Sequence, residues 1–145
     1  SSPSLHDALP IFYATAESSI SLTTSYAEIT AFSNAAVNIG THYNTSTGRF
    51  TAPIAGVYNF GIAALGNSTA TVYRFRLYKN GSHLNNYELR VQTEGGSFGT
   101  NAEFCVVTSL SASDYVSVFA LSDDGTDAFA SSDFRYTYFR GHLMG

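Results

Sequence analysis

Apolar and polar side chains alternate along most of this chain with a period of two, the pattern of strands that bury one face. The clearest case is Tyr73, Phe75 and Leu77, which are separated by residues suited to a solvent-facing side. No long window shows the 3.6-residue period of a helix. Short strands between turn clusters therefore predict an all-β sandwich or barrel. The predicted strands are Phe12–Ala16, Ile20–Leu22, Ala27–Phe32, Ala36–Ile39, Arg49–Thr51, Gly56–Ala64, Ala70–Lys79, Tyr87–Gln92, Glu103–Leu110, Tyr115–Leu121 and Phe134–Leu143.

The stretch Tyr43–Phe60 shows how turn residues divide these strands. Gly48 stands where a turn needs a positive φ, and Pro53 closes a short extended piece because proline cannot donate a ladder hydrogen bond. After Gly56, every second residue is a large apolar one. The stretch predicts a turn, a short strand, a second turn and a longer strand.

Composition limits what kind of molecule this is. The chain has 145 residues, enough for one domain, and only 12% of them are charged, against roughly 25% in typical soluble domains. Either part of the surface is buried against other copies, or Ser, Thr and Asn solvate it. The net charge is −4 and the basic residues are scattered, which argues against nucleic-acid binding. No apolar run is long enough to predict membrane insertion.

The first residues differ from the rest of the chain. Residues 1–11 have neither a strand period nor the basic start and apolar run of a signal peptide. We therefore expect a non-native or disordered leader over 1–11 and one folded domain over 12–145.

Few residues suggest chemistry. Cys105 is the only cysteine, and its apolar strand predicts a small buried side chain. The histidines lie outside zinc-binding patterns. Asp123, Asp124 and Asp127 surround Gly125 and offer hard oxygen ligands that suit Ca²⁺, although Asp-Gly is also an ordinary hairpin turn. No catalytic residue is predicted.

Five motifs, in order, resemble a known family. N-x-G-x-x-Y-x-x-x-T-G-x-F-x-A-P-x-x-G-x-Y-x-F (38–60) resembles the central signature of the complement C1q globular-head domain. Phe32, L-Y-K-N-G (77–81), L-x-x-x-D-x-V (110–116) and F-x-G-x-L (139–143) resemble its other conserved positions, with Ser113 in place of a glycine. The match extends over about residues 12 to 143.

The resemblance implies a ten-stranded jelly-roll β-sandwich that assembles as a homotrimer and is not an enzyme. It also implies that no cofactor is required, and that Glu88, shortly after the K-N-G hairpin, is a candidate Ca²⁺ ligand beside Asp123 and Asp124. The family's core and trimer-interface positions fall here on Tyr43, Phe50, Tyr58, Phe60 and Phe139.

The expected function is that of a recognition module. Such a trimer on a cell exterior, a virion or a fibre would bind a host or cell-surface glycan or protein, and the domain's style is closest to bacterial and bacteriophage versions. The alternatives are a purely structural capsid or fibre decoration, or a secreted ligand of the tumour-necrosis-factor type. Binding residues are expected in polar loops, the usual place for them on a rigid scaffold. The candidates are Asn67, Ser68, His83, Asn85, Asn86, Ser97, Asn101 and Asp127.

Overall fold

The structure is a computed structural model that describes residues 9–67, 69–96, 100–128 and 136–145. Eleven strands are found in these residues, two of which have only two residues each. They are β1 (Ile11–Thr15), β2 (Ala27–Glu28), β3 (Asn34–Ile39), β4 (Tyr43–Asn44), β5 (Arg49–Thr51), β6 (Gly56–Leu65), β7 (Thr71–Lys79), β8 (Ser82–Thr93), β9 (Asn101–Leu110), β10 (Tyr115–Ser122) and β11 (Tyr138–Leu143).

Two antiparallel sheets form a sandwich, so the predicted all-β fold class is confirmed. One sheet has the order β3-β1-β11-β6-β9, and the other has the order β4-β5-β10-β7-β8 with β2 paired to β10. Neighbours in each sheet are mostly distant in sequence, as in a jelly roll. The described part of the chain contains no helix long and apolar enough to cross a membrane.

Aromatic rings from both sheets fill the space between them. The ring of Phe12 stacks on Tyr43 at 4.6 Å and on Phe50 at 5.0 Å, and it meets Phe139 edge-on at 4.9 Å. The five aromatic positions that the family resemblance implied to be structural are all buried. Stacked and edge-to-face ring pairs of this kind stabilise the fold beyond the free energy gained by burying the rings.

The Tyr43 segment shows why its motif residues occur together. The Asn38 side chain donates to the carbonyl of Tyr43 at 2.9 Å and accepts from its N–H at 3.1 Å. The Tyr43 hydroxyl donates to the carbonyl of Phe32 at 2.6 Å, so its polar end is satisfied inside the core. Gly48 has a φ of 72°, and a Cβ there would lie 2.4 Å from the carbonyl oxygen of Ile29. The turn around Gly48 and the short strand β5 were predicted from the sequence, whereas β4 was not.

Several predicted boundaries differ from the observed ones. Of the predicted strand Ile20–Leu22, only Ile20 forms a bridge, to Ala128. The last strand begins at Tyr138, and the first residues predicted for it lie outside the described residues, as do residues 1–8 of the predicted leader. Strand β1 begins at Ile11, one residue before the expected start of the domain.

Strand β8 begins before the predicted start at Tyr87, because the prediction covered only the part of the strand that follows a bulge. It begins at Ser82, directly after the Asn80-Gly81 hairpin turn, whose residues have φ values of 51° and 82°. Opposite Leu77 the register shifts, and Asn85 and Asn86 adopt φ values of 48° and 60°. The bulge breaks the alternation on which the sequence prediction depended.

Candidate recognition surfaces

The outer side of the first sheet, called here the five-strand face, carries exposed apolar residues. Ile39, Ile11, His142, Asn59 and Val107 lie side by side across β3, β1, β11, β6 and β9. The side chains of Ile39 and Val107 are 52% and 51% exposed. Val37 and Val57 belong to the same face and are also exposed. Apolar residues clustered on one side of a sheet indicate an interaction surface.

Two residues along each strand, a second row of residues crosses the five-strand face, with Arg140 at its centre. The row consists of Val37, Tyr13, Arg140, Gly61 and Cys105. The Arg140 guanidinium lies across Gly61, where a Cβ would come within 2.7 Å of it. One nitrogen donates to Glu103 Oε1 at 3.3 Å and to Cys105 Sγ at 3.2 Å. Tyr13, from the same row, stacks on Tyr138 at 4.9 Å. Because Gly61 has no side chain, the guanidinium group of Arg140 can lie against the sheet at this position.

The structure corrects the expectation for Cys105, which is exposed. Its strand, β9, is an edge strand, and Val106 and Leu110 supply the buried positions on the other side of it. The apolar run around Cys105 therefore reflects two apolar sides, the core side and the five-strand face, which periodicity alone does not distinguish.

Two polar atoms on the five-strand face lack partners. Asn59 Oδ1 and Thr15 Oγ1 are buried and form no hydrogen bond with the residues that the structure describes. A buried acceptor without a partner costs free energy. A cavity of about 320 Å³ opens on the same face beside Tyr13, Val37 and His142. The face therefore combines exposed apolar side chains with open volume.

The outer side of the second sheet carries a charge network instead. Glu88 accepts hydrogen bonds from Arg76 Nε at 2.9 Å, from Arg74 Nη1 at 3.2 Å and from the hydroxyl of Tyr26. Arg74 also pairs with Asp123 at 3.0 Å. Partial burial acts to raise the pKa of Glu88, but the hydrogen bonds from Tyr26 and the two arginines outweigh it, so the pKa is lowered.

The predicted calcium ligands lie in three different settings. Both oxygens of Glu88 face guanidinium groups, and those of Asp123 face Arg74. Asp124 accepts from Thr71 at 2.8 Å and from the N–H of Thr126 at 3.0 Å, which lowers its pKa. Among the described residues, no three His, Cys, Asp or Glu side chains converge as metal ligands. Calcium binding stays a prediction.

The predicted ligand-binding residues fall into two groups. At one end of the sandwich, Asn67 Nδ2 donates to the carbonyl of Asp127 at 3.4 Å, and Asn101 Nδ2 donates to the carbonyls of Ala64 and Tyr136. At the β8 bulge, Asn85 and Asn86 are exposed, and the His83 ring lies 2.9 Å from the carbonyl of Tyr87 and stacks on Tyr78. Ser68 and Ser97 lie outside the described residues. Ligand binding by these residues remains a prediction.

The structure also has a polar groove that no sequence pattern predicted. It has a volume of about 230 Å³ and lies between two extended segments, Ser19–Ser21 and Glu28–Ala31. The groove lies along the main chain of both segments, and every residue type carries the same main-chain groups, so the residue types do not predict it. The Glu28 carboxylate beside it is held by Arg49 at 3.0 Å and by the Ser117 hydroxyl at 3.2 Å.

Comparisons with known proteins agree with this architecture. A family model described as "C1q domain" matches residues 11–144. The globular domain of zebrafish complement 1qA is similar in structure, with a TM-score of 0.61, 18% identity, and coverage of 94% of this chain and 97% of that one. Murine APRIL at pH 5.0 is similar with a TM-score of 0.70, 11% identity, and coverage of 94% and 99%. No curated protein sequence matches the chain.

Proposed function

The chain belongs to the C1q domain family, and we propose that it is a homotrimeric, non-enzymatic recognition module that works outside a cell or on a virion or fibre. Domains of the C1q and tumour-necrosis-factor type are trimeric recognition or ligand modules, typically secreted and without enzymatic activity. The proposed partners are further copies of this chain and a surface glycan or protein.

The observation that carries the proposal is the apolar five-strand face. Ile11, Val37, Ile39, Val57 and Val107 are each more than a third exposed on one side of one sheet. Burying such side chains contributes roughly 25 cal/mol for each Å² removed from water. A second copy is the favoured occupant, because family domains assemble with themselves and because this chain has few charges with which to solvate the face.

Sedimentation of a charged variant tests the assembly. Lysines at two apolar positions on opposite edges of the face, Ile39→Lys with Val107→Lys, should convert the trimer into a folded monomer. Val72→Lys places the same change on the outer side of the other sheet and should leave the trimer intact. A monomeric wild-type protein at micromolar concentration contradicts the proposal, as does a double variant that still forms trimers.

The recognition role needs a separate assay. Isolated trimers are applied to a glycan array and to intact cells, and specific binding to either supports a recognition module. Consistent absence of binding to both favours the alternative of a structural decoration domain of a capsid or fibre. A secreted ligand of the tumour-necrosis-factor type, which the structural likeness to murine APRIL keeps as an alternative, would instead bind one protein receptor.

A further inference from the structure

The groove between Ser19–Ser21 and Glu28–Ala31 has two walls that do not pair with each other. Each wall is hydrogen-bonded on its far side. Ile20 exchanges two backbone hydrogen bonds with Ala128, at 2.9 and 3.0 Å, and the N–H of Ile29 donates to Val118 in β10 at 2.8 Å. Both segments are therefore fixed in extended conformation by neighbours that lie outside the groove.

The alternation of an extended chain determines what faces into the groove. Successive residues direct their N–H and C=O groups to opposite sides of a strand. Because Ile20 and Ile29 bond outward, the peptide groups of Ser19 and Ser21 on one wall, and of Glu28 and Thr30 on the other, point inward. Outside the strands, no backbone hydrogen bond joins Ser19, Ser21 or Thr30 to a residue that the structure describes. Glu28 is paired with Phe119 of β10, but because the adjacent Ile29 N–H bonds to Val118, Glu28 occupies the non-hydrogen-bonded position of that antiparallel ladder.

The surroundings keep the groove polar and open. Ile20 and Ile29 are buried, with 1% and 4% of their surface exposed, so their side chains point into the core. Ser19, Ser21 and Thr30 are exposed and form the rim. The walls thus offer donors and acceptors of the main chain toward the open groove.

The groove runs along three residues of one wall and four of the other. Three extended residues span about 10 Å at roughly 3.3 Å per residue. The groove has a volume of about 230 Å³ and lies beside a length of chain that matches a short extended segment.

We propose that this groove binds a short extended peptide segment of a partner protein, which pairs with both walls as an inserted strand. Only an extended peptide repeats donors and acceptors along two opposite edges with the spacing that these walls present. The proposal deepens the proposed recognition function by narrowing the partner to a protein, and it does not depend on trimer formation.

The test begins with a displayed library of random heptapeptides selected on the whole protein. Affinity of a selected peptide is then measured for matched variants on both walls. Ser21→Pro and Thr30→Pro each remove one inward N–H, whereas Ser21→Ala and Thr30→Ala keep it. We expect about tenfold weaker binding for each proline variant, the effect of about 1.4 kcal/mol, and little change for each alanine variant.

A scan on the peptide side does not depend on how the variants fold. Synthetic peptides carrying one N-methyl group at successive central positions are compared. Pairing with both walls predicts loss of binding at every central position, whereas pairing with a single edge predicts loss at alternate positions only. Amide hydrogen exchange of Ser19, Ser21 and Thr30 should slow when the peptide is bound.

Five outcomes would overturn the inference: no peptide is enriched, folded proline variants bind as well as wild type, N-methylation has no effect, N-methylation abolishes binding at alternate positions only, or the groove variants abolish glycan binding instead. Sedimentation separates this inference from the proposed assembly. A monomer that still binds the peptide in the groove contradicts the trimer and leaves the groove proposal standing.

Discussion

Gly141 is the position where one methyl group should disturb the core most clearly. It lies in β11, paired with Phe60 in β6 and with Phe12 in β1. A Cβ at this position would be 2.4 Å from Phe60 Cδ1 and 2.7 Å from Phe12 Cε1. Both rings are fully buried, so Gly141→Ala has to displace aromatic side chains rather than solvent. Close packing, and not an unusual backbone angle, requires glycine in this part of the F-x-G-x-L motif.

The size of the effect follows from how little the neighbours can move. Phe12 already stacks on both Tyr43 and Phe50 of the other sheet, and Phe60 stacks on Tyr58. Overpacking a core of this kind costs about 1–3 kcal/mol, and replacing glycine regains about 0.4–1 kcal/mol through the unfolded chain. Contacts of 2.4 and 2.7 Å with two fixed rings place Gly141→Ala at the upper end of the overpacking range, so we expect a net loss of about 2 kcal/mol, which for a domain of this size lowers the melting temperature by about 4–8 °C.

Gly61→Ala supplies the matched control in thermal and urea unfolding at equal protein concentration. Gly61 is also in the middle of a strand, but its Cβ would meet only the guanidinium end of Arg140, which can swing away. Its free energy of unfolding should stay within about 1 kcal/mol of wild type. Adding Phe60→Leu to Gly141→Ala should recover part of the loss. Equal destabilisation by the two alanines, or no recovery in the double variant, would refute the packing argument.

Three further outcomes are expected. Tyr43→Phe removes the buried hydrogen bond to Phe32 and should lower the free energy of unfolding by about 1–2 kcal/mol in urea titrations, and an unchanged midpoint would contradict this. Because the pKa of Glu88 is lower in the folded chain, its contribution is complete above its ordinary pKa of about 4.3 and is lost as the pH falls through the lowered value. Glu88→Gln should therefore flatten the acid limb of stability against pH, and an unaltered slope contradicts that. Adding a chelator should leave the melting temperature unchanged, since no cofactor is expected to be required, and a drop would reveal a structural ion.

The fold could be predicted because its signals are local and repeated. Tyr73, Phe75 and Leu77 alternate cleanly, and all three are buried. Prediction failed where another factor outweighed alternation. The first half of β8 was missed because Asn85 and Asn86 carry positive φ values at the bulge, and β4 was missed because a two-residue strand has no period to detect.

The candidate surfaces were less predictable because they depend on contacts between distant residues. Glu88 was named for its place after a hairpin, but its neighbours Tyr26 and Arg74 come from other strands and loops. Cys105 was assigned to the interior because an apolar environment in sequence does not distinguish a core from a second apolar face. The groove beside Ser21 is formed by peptide groups, which every residue carries, so no sequence pattern marks it.

The bulge in β8 has a consequence beyond the single domain. β8 is a twelve-residue strand at the edge of its sheet, and a long straight edge is a template on which another sheet can add. The consecutive left-handed Asn85 and Asn86 interrupt that edge near its middle. A bulge removes the straight row of N–H and C=O groups that a second sheet needs, so an edge interrupted in this way is a poor template for edge-to-edge pairing. The two asparagines that obscured the strand in the sequence are the residues that interrupt this edge.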